Sequence, residues 1–236
     1  MTPKKDAGGL LDIEKQFTFY AAYHDNALNK WIHIFCIWPL LFTALILLWK
    51  IPVGLLQNAI LPPAVAAKLS VHGVQLTVNW ALVGAVIYIL FYLSLEAKNT
   101  QKMTGLGVFA ALLVGALYFV AGYVSSLPPI YIPHGKGIEI NVTHAVMAIH
   151  VMCWIAQFVG HFVFEGRAPA LMTNLYQAFL MAPIFVLMEM VFLAGGKKKL
   201  YKSIAAKVKE ELAAFEIQKA ISSGAGRVTR SKSKRA

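Results

Sequence analysis

Residues 31–49 read WIHIFCIWPLLFTALILLW, a run without a single charged side chain. As a helix it would be about 29 Å long, the thickness of a bilayer's hydrocarbon core, and Pro39 inside it predicts a kink. Further apolar runs lie at about 76–95, 106–124, 142–163 and 173–193, the last with Pro183 near its middle. Between the first two, residues 51–67 (IPVGLLQNAILPPAVAA) are apolar but broken by Pro52, Pro62 and Pro63, which reads as an interfacial or re-entrant piece. Over all 236 residues 58% are apolar and 14% charged, where soluble chains average about 45–50% and about 25%. These figures exclude a soluble domain, disorder, collagen and a disulfide scaffold. Cys36 and Cys153 both sit in apolar runs, so neither an oxidising compartment nor a CxxC site is implied. The expected fold is all-α: a polytopic helical membrane protein of four to six transmembrane segments, with a C-terminal amphipathic helix and a basic tail.

Three regions follow. Residues 1–30 form a charged N-terminal segment, 31–195 the transmembrane domain, and 196–236 the amphipathic helix and a disordered tail. From Lys197 onward twelve Lys or Arg face three Glu, so nine of the eleven net positive charges belong to the tail. Such a tail beside apolar spans points to anionic headgroups and the cytoplasmic side rather than to nucleic acid. Residues 1–30 lack an early apolar stretch, so the first span is expected to act as its own targeting signal. Lys4, Lys5, Lys15 and Lys30 place the N-terminus in the cytoplasm, and Lys197–Lys199 do the same for the C-terminus. Two cytoplasmic ends need an even number of crossings: six if 51–67 crosses, four if the Pro183 segment turns back. The cytoplasmic placement of Lys98, Lys102 and Arg167 favours four and makes 125–141 a lumenal loop. Tyr201, Ile204, Val208, Leu212 and Phe215 form an apolar stripe suited to a membrane surface. Lys232 and Lys234 resemble a dilysine retrieval signal of the endoplasmic reticulum, read from the cytosol; a tail that merely anchors to lipid accounts for them equally well.

Ionisable residues within spans are costly and are functional candidates by default. In HVMCWIAQFVGHFVFE (150–165), His150, Trp154, Gln157, His161 and Glu165 are spaced by four, three, four and four, which holds them on one helical face. That face must point into the protein, as a metal site or as a polar packing ladder. His24 and His33 flank HDNALNK, where a break with Asn29 as N-cap would let the two rings face each other. His24, His33, His161 and Glu165 can then meet at one depth. His150 stands about 16 Å from His161 along the axis, which makes it a supporting or substrate-channel residue, with Asn29, Trp154 and Gln157 also supporting. Three histidines and a carboxylate suit Fe(II) or Zn(II); iron with open positions binds O2, zinc would activate water.

Two blocks resemble the Mpo1-like family: Tyr20-x3-His24-x4-Asn29-x3-His33, and Trp154-x2-Gln157-Phe158-x-Gly160-His161-x3-Glu165-Gly166-Arg167-x-Pro169-Ala170. The resemblance covers roughly residues 12–195. It departs at Cys36 and Pro39, where bacterial members tend to carry Gly and an earlier Pro, a matter of helix packing. The resemblance implies an Fe(II)-dependent dioxygenase of the endoplasmic reticulum membrane that uses O2 to convert a 2-hydroxy fatty acid from phytosphingosine breakdown into a fatty acid one carbon shorter. It further implies that His24, His33 and His161 are iron ligands, that Glu165 is a further ligand or an orienter, and that Arg167 or Lys30 neutralises the substrate carboxylate. A non-catalytic membrane scaffold with structural histidines and a zinc-dependent lipid hydrolase remain alternative readings.

Overall fold

The computed structural model describes residues 9–53, 78–132, 138–166, 168–169 and 174–222. Among the described residues four helices are long and apolar enough to cross a membrane, or five if the bent pair Gln177–Leu193 and Lys198–Phe215 is one span. The four are α2 (Ala27–Trp49), α3 (Trp80–Lys98), α4 (Leu106–Ser125) and α5 (Val142–Val159), which continues as a π-helical turn over Gly160–Glu165. The amphipathic α1 (Ile13–Tyr23) precedes them. After them come a π-helical turn over Gln177–Met181, α6 (Ala182–Leu193) and α7 (Lys198–Ser222). The 125–141 loop contains a two-stranded antiparallel ribbon, β1 (Ile130–Ile132) with β2 (Ile138–Ile140). Among the described residues the fold is therefore helical apart from these two three-residue strands, whose alternating Ile pattern suits a pleated ribbon.

Hydrogen bonds between helix ends show which ends lie together. At one end Lys50 donates to the Thr143 hydroxyl at 2.6 Å, and the Trp80 N–H donates to the Ile51 carbonyl at 3.1 Å. That end gathers the close of α2 and the starts of α3 and α5. At the other end Glu96 closes α3, and its two carboxylate oxygens accept the Gly105 and Gly107 N–H groups at 2.8 Å each. A carboxylate on the orphan donors of a helix start satisfies both their hydrogen bonding and the helix dipole. Gly107 is needed there, since a Cβ would stand 2.6 Å from the Tyr92 carbonyl oxygen.

The outward faces carry exposed apolar side chains such as Leu90, Leu112, Phe119, Met152 and Phe162, as a lipid-bathed bundle requires. By contrast α6 is buried continuously from Ala182 to Glu189. The π-helical turn before it and its own C-terminal end both touch α1: the Gln177 amide donates to the Gln16 carbonyl at 3.2 Å, and Phe192 meets Phe17 edge-on. The Pro183 segment thus starts and finishes at the level of α1, with Pro183 in the first turn of α6, where its missing N–H costs nothing. The segment 51–67 lies outside the described residues beyond Val53, as do Lys232 and Lys234.

The amphipathic helix differs in one respect from the sequence reading. Ile204 and Val208 are buried and Phe215 packs on Tyr23, so the stripe of α7 docks on α1, whereas Tyr201 is exposed on the other side of its contact with Phe192. Glu14 of α1 fastens this contact, accepting from Lys207 at 2.7 Å, Ser203 at 2.6 Å and Lys102 at 2.8 Å. Lys102, then Lys207 and Ser203, hold its carboxyl at about 2, below the ordinary 4.5. A depressed folded-state value means that this contribution is complete above about 4.5 and is lost as pH falls toward 2. Glu14→Gln should expose α7 to trypsin or hydrogen exchange roughly 2–5-fold faster at pH 7. The wild type should converge on the variant as the pH is lowered through that window.

Candidate metal centre

The centre is assembled where α1 stops, α2 starts and α5 ends. Asp12 caps α1 through the Lys15 N–H, and the helix closes at His24. Two residues later Asn26, in extended conformation, accepts from the N–H groups of Leu28 and Asn29 and starts α2. This corrects the expected cap: Asn26 takes the role that the sequence assigned to Asn29. Asn29 instead lies inside the first turn, wholly buried. The reason is a carboxylate from another helix. Glu165 accepts the backbone N–H of Asp25 and of Asn26 at 3.0 Å each, and the side-chain amide of Asn29 at 3.1 Å.

The tight turn folds His24 back over α2. The ring centroids of His24 and His33 are 4.4 Å apart, those of His24 and His161 4.8 Å, and those of His33 and His161 5.0 Å. One nitrogen of each lies within 4.8 Å of the others, and all three rings are buried. Nδ1 of His24 donates to the Tyr20 carbonyl at 2.8 Å and Nδ1 of His33 to the Asn29 carbonyl at 2.9 Å. Each bond fixes a tautomer and leaves Nε2 for the centre. Nε2 of His24 and Nδ1 of His161 are buried without a partner. Burial, then the neighbouring His33 and His161, hold His24 well below the usual histidine range. It is therefore a neutral nitrogen donor, the form that ligates metals.

The other candidates are distributed as follows. Glu165 is outside the cluster of three, since both its oxygens are taken up at the start of α2. Gln157 and Trp154 line the cavity that the histidines close. His150 lies farther up α5, bonded to the Thr43 hydroxyl at 2.8 Å and to the Trp154 indole N–H at 3.2 Å, so this part of the polar face is a packing ladder. Lys30 is half-buried and does not line the cavity, but its charge disfavours protonation of His24. Arg167 lies outside the described residues. Sequence reasoning passed over Tyr20 as a cavity residue and over the π-helical turn that carries His161. The first was detectable, because Tyr20 stands one turn before His24 on the same face; the second has no local signal.

Beyond the histidines, Tyr20, Gln157 and Gln177, the cavity wall is largely apolar, with Ile37 and Leu40 of α2, Phe158 of α5, and Ala182 of α6. The fold and site thus define an integral membrane protein with a buried three-histidine cluster in the wall of a largely apolar cavity. The chain belongs to the Mpo1-like family: residues 10–193 match the family described as 2-hydroxy-palmitic acid dioxygenase Mpo1-like. It is 29% identical over 194 residues to the 2-hydroxy-palmitic acid dioxygenase MPO1 of Saccharomyces cerevisiae, a match covering 81% of this chain and 87% of that protein. No solved structure matches it.

The latch between α2 and α5 is as tight as the chain allows. A Cβ at Gly160 would stand 2.4 Å from Oδ1 of Asn29. Gly160→Ala should therefore push His161 away from His24 and His33 and abolish tight metal binding. Glu165→Gln keeps the bulk and loses the charge, and should weaken metal affinity about 10–100-fold. Titration of the purified protein with Co(II), followed by its ligand-field absorption, reads both.

Proposed function

We propose that this protein is an Fe(II)-dependent dioxygenase that shortens 2-hydroxy fatty acids by one carbon. The observation that carries the reading is the cluster of three buried histidines, with one ring nitrogen of each within 4.8 Å of the others, in the wall of a largely apolar cavity. The family and the yeast relative's name supply the substrate class. The donor set fits the metal. Three nitrogens without thiolate or carboxylate suit iron or zinc rather than magnesium or calcium, and two of them are otherwise orphaned in the interior. His24, His33 and His161 would hold the ion, with Glu165 ordering them from outside the cluster. A bound Fe(II) would supply the activation of O2.

The rest is the work of the chain. Tyr20 and Asn29 carbonyls hold two imidazoles in the ligating tautomer. The wall from Ile37 to Ala182 accepts an alkyl chain and excludes water. The reaction balances without an external reductant: 2-hydroxypalmitate, as the acid, plus O2 gives the C15 acid, CO2 and water. The C1–C2 bond breaks, the substrate gives up four electrons and O2 takes four. Four spans with both termini on the cytoplasmic side suit an enzyme of the endoplasmic reticulum membrane acting in fatty-acid α-oxidation and sphingolipid breakdown. The lysine-rich ends and the paired Lys232 and Lys234 support that placement.

The test is metal analysis of detergent-purified protein together with an assay of 2-hydroxypalmitate labelled at C1, in air and under argon. Stoichiometric iron, with C15 acid and labelled CO2 formed only in air, is expected. Zinc in place of iron, or turnover under argon, would sink the proposal. His24→Ala, His33→Ala and His161→Ala should each remove the metal and lower turnover by at least about 10³-fold. His144→Ala should leave both intact, since His144 is exposed at the far end of α5, about 25 Å along the axis from His161.

A further inference from the structure

Buried polar atoms in folded proteins nearly always have partners. Among the described residues, those without one include Tyr20 Oη, His24 Nε2, Gln157 Nε2 and His161 Nδ1, and all four side chains line the same cavity. The two imidazole nitrogens belong to the metal centre. The two that remain are neutral donors. The Tyr20 ring is held in place, stacked on His24 at 4.1 Å and packed on Phe185 at 4.8 Å. Gln157 stands four residues before His161, on the same face of α5. Gln177, also at the cavity, is already committed to the carbonyl and side-chain oxygens of Gln16.

We propose that Tyr20 and Gln157 form the polar clamp that binds the carboxylate of the fatty acid. This inference deepens the function proposed above and rests on it. Two orphan N–H and O–H donors, beside a centre that accepts rather than donates, are complementary to an acceptor-only anionic head. Hydrogen bonds to such a charged head are the stronger kind. A phenol carries its proton at neutral pH, and Oη of Tyr20 is buried without a partner, so it is free to donate. No lysine or arginine lines the cavity among the described residues. Among the described residues, these two donors are then the groups that can favour an acid over an ester or alcohol of the same length, since a site built around such bonds rejects analogues that cannot make them.

The experiment uses full-length protein in nanodiscs, freed of metal with chelator and kept anaerobic. It measures equilibrium binding of 2-hydroxypalmitate, its methyl ester and hexadecane-1,2-diol. Wild type should prefer the acid. Tyr20→Phe and Gln157→Leu should each weaken the acid about 10–100-fold while moving the ester and diol by less than about 2-fold. Gln157→Glu should reject the acid and keep the diol. Tyr20→Phe retains the ring stack and the carbonyl that orients His24, so its Co(II) affinity should match wild type. Acid binding unchanged in Tyr20→Phe and Gln157→Leu, equal loss of all three ligands, or a wild type that does not prefer the acid would each overturn the clamp. A wild type that prefers the acid, yet fails to shorten it when loaded with Fe(II) in air, would refute the dioxygenase reading and leave the clamp standing.

Discussion

The carboxylate of Glu165 ties three parts of the chain together. Its oxygens take the N–H groups of Asp25 and Asn26 and the amide of Asn29, so the close of α1, the start of α2 and the end of α5 share one acceptor. His24 precedes Asp25, His33 lies one turn after Asn29, and His161 lies four residues before Glu165. A displacement of this carboxylate would therefore move all three histidines relative to one another. In a lipid-bathed bundle the hydrophobic effect does not choose a helix register, because the tails are as apolar as the side chains. A charge on the orphan donors of a helix start, backed by a glycine contact at Gly160, does choose one.

Glu96 repeats the device at the start of α4, with Gly107 as the close-approach residue. In both cases the carboxylate closes one helix and starts a sequential or spatial neighbour at the same end of the bundle. The opposite end uses Lys50 on Thr143. The helical hairpins are therefore pinned by polar groups at their ends, while the middle of the bundle adds close packing, the ladder of Thr43, His150 and Trp154, and the bond from the Tyr88 hydroxyl to the Phe179 carbonyl.

Much of this was legible in the sequence. The apolar runs gave four of the helices to within a few residues, with 142–163 for the span that ends at Glu165, because a charge-free run of that length has few other fates. The spacing from His150 to Glu165 marked one buried face, and the breaker-rich HDNALNK marked the turn that brings His24 to His33. The rest depended on contacts remote in sequence. Asn29 reads as a cap by residue type alone, and only the arrival of Glu165 explains why Asn26 caps instead. The stripe on α7 fits a membrane surface or a helix face equally, and α1 decided between them. The π-helical turn at Gly160–Glu165 follows no local propensity; such turns gather at functional sites, and this one carries His161 of the candidate centre.

Depth connects these constraints to chemistry. His33 lies six residues into α2, about 9 Å from its start, and His161 lies just as close to the matching end of α5. The three imidazoles therefore sit beneath α1 at the border between polar helix ends and apolar bundle, while the cavity wall continues toward the interior through Ile37 and Leu40. An amphiphile in a leaflet is arranged in the same order, with its head at the border and its alkyl chain below. On the proposed function, a 2-hydroxy acid would reach the centre by lateral movement, without its chain passing through water or its head through hydrocarbon. The latch at Glu165 thus sets the depth of the histidines, and that depth suits a substrate delivered by the membrane itself.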